Sequence, residues 1–299
     1  MGAKLRTVRR RIRSVQSTMT ITRAMELIAA SRILKAQQRV EAARPFAERL
    51  TAAIADVAAV TSSLGHPLVQ ERPDRKNAAV FVVTSDRGLA GAYNSNVLRM
   101  SEELFRTIRD EGKQTKLFVA GRKGASYFRF RERPIEEAWA GFSETPSYDD
   151  AKTIADSLID RYKSGEVDEI HGVFTNFLSP LRQAAVARRF VPLVVEEVDR
   201  PTEAPPAQYI FEPDPDALLS ALLPRYIETR VFSALLESAA AENAARRRAM
   251  GAATENAEEL IKVLTRVANQ ARQTEITTEI MEIVGGAEAL RTTGERVGV

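Results

Sequence analysis

The sequence predicts an α/β insertion domain with a Rossmann-like sheet, set between two long N- and C-terminal helices that form an antiparallel left-handed coiled coil. Three observations predict it. Apolar positions in residues 5–57 recur in steps of three and four. Residues 216–290 form a second helical run that contains no glycine except Gly251 and the Gly285–Gly286 pair. Between them the composition changes to short β-branched and aromatic runs alternating with amphipathic ones, the pattern of a sheet layered with helices.

The first helix carries an a/d pattern from Leu5, Val8, Ile12 and Val15, through Ala29, Ile33 and Ala36, to Leu50, Ile54 and Val57. That is roughly eight heptads, and a mean spacing of 3.5 implies a left-handed supercoil with a partner helix. Pro45 is the one flaw and predicts a local kink. Residues 62–77 read as a linker. Strands follow at 78–83 (AAVFVV), 115–121 (TKLFVAG), 169–178 (EIHGVFTNFL) and 183–195 (QAAVARRFVPLVV), with helices near 94–111, 122–129 and 149–163. Residues 199–208 are a second linker. The last helix has Pro224 in its first turns and a seam running from Leu218 and Leu222 through Phe232, Leu236 and Ala239 to Leu260, Leu264 and Val267. At a rise of 1.5 Å per residue it is roughly 100 Å long, several times an ordinary globular helix. The domain boundaries are therefore 1–61 for the first long helix, 62–210 for the α/β domain with its linkers, and 211–299 for the second.

Bulk properties narrow the chemistry. The chain has 299 residues, is 44% hydrophobic and 28% charged, and has a formal net charge of +3. It can bury a core and is not disordered by composition. No apolar run approaches the length needed to cross a bilayer. With no cysteine, disulfides and thiolate metal sites are excluded. Only His66 and His171 offer imidazole, so a multi-histidine metal site is not expected. The basic N-terminus reads as mature structure rather than a transit peptide, because its heptad pattern runs on without a break. Arg6 stands where myristoylation needs Ser or Thr.

Three stretches invite a functional reading. TSDRGLAGAYNSNV (84–97) follows a strand, as phosphate loops do, and Asn94 or Ser95 is positioned to cap the next helix. Yet there is no G-x-x-x-x-G-K-[ST] and no G-x-G-x-x-G. GRKGASY (121–127) has the wrong spacing for a phosphate cradle. The bland reading is a tight strand-to-helix turn. The N-terminal fifty residues are rich in Lys and Arg, with Glu26, Glu41 and Glu48 their only acids. Such a face suits nucleic acid, an acidic protein ring or plain solvation; no aromatics interleave with it for base stacking. NQARQTEITTEIMEIVGGAEAL (269–290) puts Thr274 and Thr278 on the seam and crowds polar groups around them. That is either a frayed helix end or a stretch that outruns its partner and bonds to another protein. No catalytic constellation appears, and no cofactor is expected.

Together, ITRAMELIAASRILKAQ (21–37), TSDRGLAGAYNSNV, FEPDPDALLSALLPRYIETRVFSALLESAAAENAARRRAM (211–250) and NQARQTEITTEIMEIVGGAEAL resemble, in order and over nearly the whole chain, the γ subunit family of F-type ATP synthases. The resemblance implies a non-catalytic rotor shaft inside the ring of α and β subunits, its α/β domain beside the ε subunit and on the c ring. Proton-driven rotation would be coupled through it to ATP synthesis or hydrolysis on the β subunits. It implies contact with β-subunit loops by Arg272, Gln273, Thr277, Glu279 and Glu282, with the β subunits' acidic lever by Arg23 and Met25, and with the c ring and ε by Tyr209 and Glu212. The expected location is peripheral, on the cytoplasmic face of a bacterial plasma membrane. The basic coiled-coil nucleic-acid binder is the alternative. Ala90 replaces a cysteine frequent in the family's loop, Gln270 and Glu275 depart from its usual residues, and RTTGERVGV (291–299) runs past its usual end. With no cysteine-pair insert, thiol regulation is not expected.

Overall fold

The computed structural model describes residues 2–60, 76–192 and 215–297. In chain order the elements are α1 (Gly2–Val60), β1 (Asn77–Val83), α2 (Tyr93–Asp110), β2 (Gln114–Ala120), α3 (Arg122–Phe130), β3 (Glu137–Trp139), α4 (Tyr148–Lys163), β4 (Glu169–Phe177), β5 (Gln183–Val191) and α5 (Pro215–Val297). Long first and last helices thus flank a central mixed sheet, as the sequence predicts. α1 stays helical through Pro45. The chain divides into two compact units, one of Met1–Leu27 with Ala249–Val299, the other of Ile28–Arg248.

The larger unit is built on a five-stranded sheet in the order β3-β2-β1-β4-β5. β1 pairs parallel with both β2 and β4, and β2 parallel with β3. β5 returns antiparallel to β4 through a tight hairpin closed by Leu178 N donating to Arg182 O. The period of two along β1 sorts its side chains between two cores. Ala78, Val80 and Val82 face α2 and α3, meeting Val97, Phe105, Ile108 and Phe128. Ala79, Phe81 and Val83 face α4 and the long helices, meeting Ile154, Leu158 and Tyr162, then Leu50, Ile54 and Val57 of α1 and Leu223, Ile227 and Val231 of α5. Each fully buried large apolar side chain here contributes about 1.5–3 kcal/mol. Trp139, on β3, stacks on Phe118 and meets Phe81 edge-on. The three-residue β3 lies outside the predicted strands, and β5 ends at Val191 rather than at 195; residues 193–195 lie outside the described residues.

Two helix starts show how local chemistry sets the boundaries. α4 begins with a capping box, in which the Ser147 hydroxyl accepts from Asp150 N and the Asp150 carboxylate from Ser147 N. α2 does not begin as expected. Its N-cap is Ala92, without a side-chain bond, and neither Asn94 nor Ser95 caps it. Asn94 lies inside the helix, and its amide reaches back to the loop, accepting from Ser85 N at 3.0 Å.

In the smaller unit the first turns of α1 pair antiparallel with α5. Thr22 and Thr254 share a buried hydroxyl hydrogen bond of 2.8 Å across the seam, and Glu26 lies against Gly251. Arg23 meets Glu258 at 3.8 Å. As residue numbers rise along α1 they fall along α5. Carried one-for-one, the Thr22–Thr254 register sets Gly2 opposite Thr274, so α5 runs on past the start of α1.

Candidate functional site

The glycine loop and the GRKGASY stretch beside it are the first candidates, and the start of α3 answers the phosphate question for the second. A phosphate cradle needs free backbone N–H groups at a helix start. At the start of α3 the chain has already taken them. Arg122 N donates to the Asp86 carboxylate, Lys123 N to Ser85 O and Gly124 N to the Thr84 hydroxyl at 2.9 Å. Gly121 and Gly124 serve this closure. Gly121 has φ +102°, and a Cβ there would lie 2.2 Å from Thr84 O; one on Gly124 would lie 2.7 Å from Thr84 Oγ1. Asp86 also accepts from Gly141 N (2.7 Å) and Ser143 N (3.1 Å). The loop therefore staples three segments of the sheet's rim to one another.

Beside it lies a buried ionic cluster that the sequence reading missed. Arg246 of α5, with its side chain 5% exposed, donates to Glu242 Oε1 at 2.7 Å and faces Glu144 Oε1 at 3.2 Å. Glu144 also takes a hydrogen bond from Arg32 of α1, and Arg87 approaches it at 3.9 Å. Burial pushes the Glu242 carboxyl up to about 7, opposed by Arg246 and reinforced by Glu144. The neighbouring Tyr93 phenol is raised, first by burial and then by Glu242. One signal was present in the sequence: Glu242 and Arg246 stand four apart in an otherwise alanine-rich face, where a charged pair needs a reason.

The residues expected to touch a partner stand mainly at the other candidate surface. Arg272, Gln273, Thr277, Glu279 and Glu282 are all exposed on α5. Helical geometry puts Arg272 and Glu279 on one stripe, Gln273 and Thr277 on a second, and Glu282 on the far flank of the first. Between them Ile276, Ile280, Met281, Ile283 and Val284 are exposed as well, Ile283 to 72%. By the Thr22–Thr254 register Arg272 and Gln273 stand level with the first residues of α1, and among the described residues no α1 segment reaches the level of Thr277, Glu279 and Glu282. The seam threonines do not wait for a partner: the Thr274 and Thr278 hydroxyls donate to Gln270 O and Thr274 O, and Thr277 to Gln273 O. On α1, Arg23 is exposed and Met25 half-buried. The Arg23–Glu258 pair is solvent-facing and contributes little. Tyr209 and Glu212 lie outside the described residues. Among the described residues no helix is long and apolar enough to cross a membrane, and no acid–histidine cluster fits a metal ion.

Comparison with known proteins adds to this geometry. A family model described as ATP synthase matches residues 4–290. The ATP synthase gamma chain of Frankia casuarinae is 58% identical over 97% of this chain and 99% of its own. That of Acidothermus cellulolyticus is 57% identical over 98% and 99%. In fold, the chain is similar to one in the Euglena gracilis mitochondrial ATP synthase assembly of OSCP, F1 and c-ring, with a TM-score of 0.67, 16% identity, and coverage of 100% of this chain and 98% of that one. A central stalk/c-ring structure from the Tetrahymena thermophila mitochondrial enzyme matches with a TM-score of 0.57 and 21% identity, over 78% of this chain and 99% of that one.

Proposed function

The chain belongs to the ATP synthase gamma-chain family, and from that premise we propose how its parts serve a central-stalk rotor. The observation that carries the reading is the free end of α5. A helix that outruns its partner after Thr274, and that follows the exposed Arg272 and Gln273 with Thr277, Glu279 and Glu282 among bare isoleucines, is built to be enclosed by other chains. The enclosing chains are the β subunits, with α subunits between them. Charged hydrogen bonds donated by Arg272 and accepted by the two glutamates hold one orientation and exchange as the shaft turns. Arg23 and Met25 meet the β subunits' acidic lever, and the basic N-terminal face belongs to these protein contacts rather than to nucleic acid, for which neither family nor fold gives support.

The remaining roles follow. The parts are residues 1–61, 62–210 and 211–299, with the middle one resting on the ε subunit and the c ring near Tyr209 and Glu212. The chain performs no chemistry; ATP is made or hydrolysed on the β subunits. Each orientation of an asymmetric shaft makes different contacts with each β subunit and so shifts its conformational population. The complex sits on the cytoplasmic face of a bacterial plasma membrane, with this chain peripheral to the bilayer.

Gentle pull-down of the tagged chain from its host, followed by an ATPase assay, tests the reading. Recovery of α and β subunits with an ATPase absent from the chain alone supports it. A lone chain that hydrolyses ATP or retains nucleic acid overturns it.

A further inference from the structure

We infer that Glu144 is a positioning residue for coupling, a carboxylate that ties the sheet domain to both long helices at the level of the glycine loop. The inference rests on the rotor reading and adds to it the place where torque enters the helices. Its two oxygens serve two helices: Oε2 accepts from Arg32 of α1, and Oε1 faces Arg246 of α5 at 3.2 Å. The side chain is 14% exposed, so these ion pairs are poorly screened by water. The segment that carries it is fixed on both sides. Asp86 holds Gly141 N and Ser143 N before it, and Ser147 caps α4 after it. Arg246 is pinned in turn by Glu242 on its own helix and reaches Gly88 O at 3.4 Å.

Leverage makes this contact matter. The large apolar contact between the sheet and α5 runs from Leu223 to Leu235. Arg246 lies about 16 Å beyond Leu235 along the helix. The apolar contact at its own level is small, made by Ala90 and Tyr93 against Ala241 and Ala245. A body held at one end of a helix can rock about that end, whereas one held at two separated points must turn with it. Alanines give close approach but no directional grip; a carboxylate between two guanidinium groups gives both direction and distance.

The test uses the whole complex in membrane vesicles, with wild type, Glu144→Gln, Glu144→Asp and Arg32→Ala. Proton-driven ATP synthesis is measured against ATP hydrolysis and against the amount of assembled complex. The expected result for Glu144→Gln is a several-fold fall in synthesis at near-normal assembly and hydrolysis, with Glu144→Asp recovering much of it. A merely structural role would lower assembly and leave synthesis per assembled complex unchanged. If Glu144→Gln does not assemble, the half-buried Arg32 carries the test, and Arg32→Ala should show the same split. Unchanged synthesis per complex in a variant that assembles overturns the inference while the rotor reading stands. A wild-type chain that does not assemble with α and β subunits overturns the rotor reading itself.

Discussion

At the scale of single residues, the conformations that matter most are those the chain cannot replace. Gly121 is the clearest. Its φ of +102° is strained for any L side chain, and a Cβ would strike the Thr84 carbonyl at 2.2 Å. Gly121→Ala should therefore destabilise the sheet unit by about 3 kcal/mol or more, read as a lowered urea midpoint in Trp139 fluorescence. An unchanged midpoint would mean that the α3 start relaxes freely. Two glutamates set a pH dependence of opposite sign. Glu242 is raised to about 7 from an ordinary 4.5, so its contribution to stability is complete below pH 4.5 and is lost as pH rises through 7. The groups facing it are Arg246 on its own helix, Glu144 and Ser143 from the loop after β3, and Tyr93 at the start of α2. Glu169 is held down to about 2: its burial pushes the other way, and the hydrogen bonds from His171 and Lys113 overcome it. Its contribution is present above pH 4.5 and is lost as pH falls through 2. Between pH 5 and 8 only Glu242 titrates of the two, so Glu242→Gln should flatten the fall in stability across that window. Parallel stability curves for wild type and variant would refute the assignment.

At the scale of elements, the sequence reads best where a period repeats. α1 and α5 were legible because their apolar steps are sustained over many turns, and β1 because six apolar residues are bounded by polar ones. β3 was not, since three residues with one half-buried tryptophan carry no alternation of their own. Glu137, Ala138 and Trp139 are a strand only because Phe118, Val119 and Ala120 lie beside them. The Asn94 misreading has the same cause: an amide suited to capping was claimed by Ser85, a tertiary partner. The ionic cluster was half legible, through Glu242 and Arg246 on one helix turn, whereas Glu144 and Arg32 are joined to it only by the fold. The end of α5 was legible as a polar seam, though its hydroxyls bond within the helix instead of across it. Because Arg272 and Gln273 are exposed, replacing both with alanine should leave the helix content of the isolated chain unchanged. In the complex the same pair of changes should weaken coupling or assembly. Normal ATP-driven proton pumping by that variant would remove these two residues from the contact.

At the scale of the whole molecule, the two compact units differ in what holds them. The sheet unit buries Phe81, Phe118, Phe128 and Tyr162 almost completely. The helix pair of the other unit buries Thr22, Met250, Thr254, Ala257, Leu264 and Ala268. Small and polar side chains remove little apolar area from water, so the pair gains far less per turn than the sheet unit does. Long helices with such a seam depend on what encloses them, and binding to the folded state alone adds stability by mass action. The isolated chain should therefore not unfold in one step. Trp139 is the only tryptophan and sits between Phe81 and Phe118, so its fluorescence reports the sheet unit. Circular dichroism at the helical minimum reports α1 and α5 most strongly, since they hold most of the helical residues. In a urea titration the helical signal should begin to fall at lower urea than the tryptophan signal, and the two curves should close up when α and β subunits are present. Coincident curves for the chain alone would show one cooperative body, and the shaft would then be rigid by itself rather than through its partners.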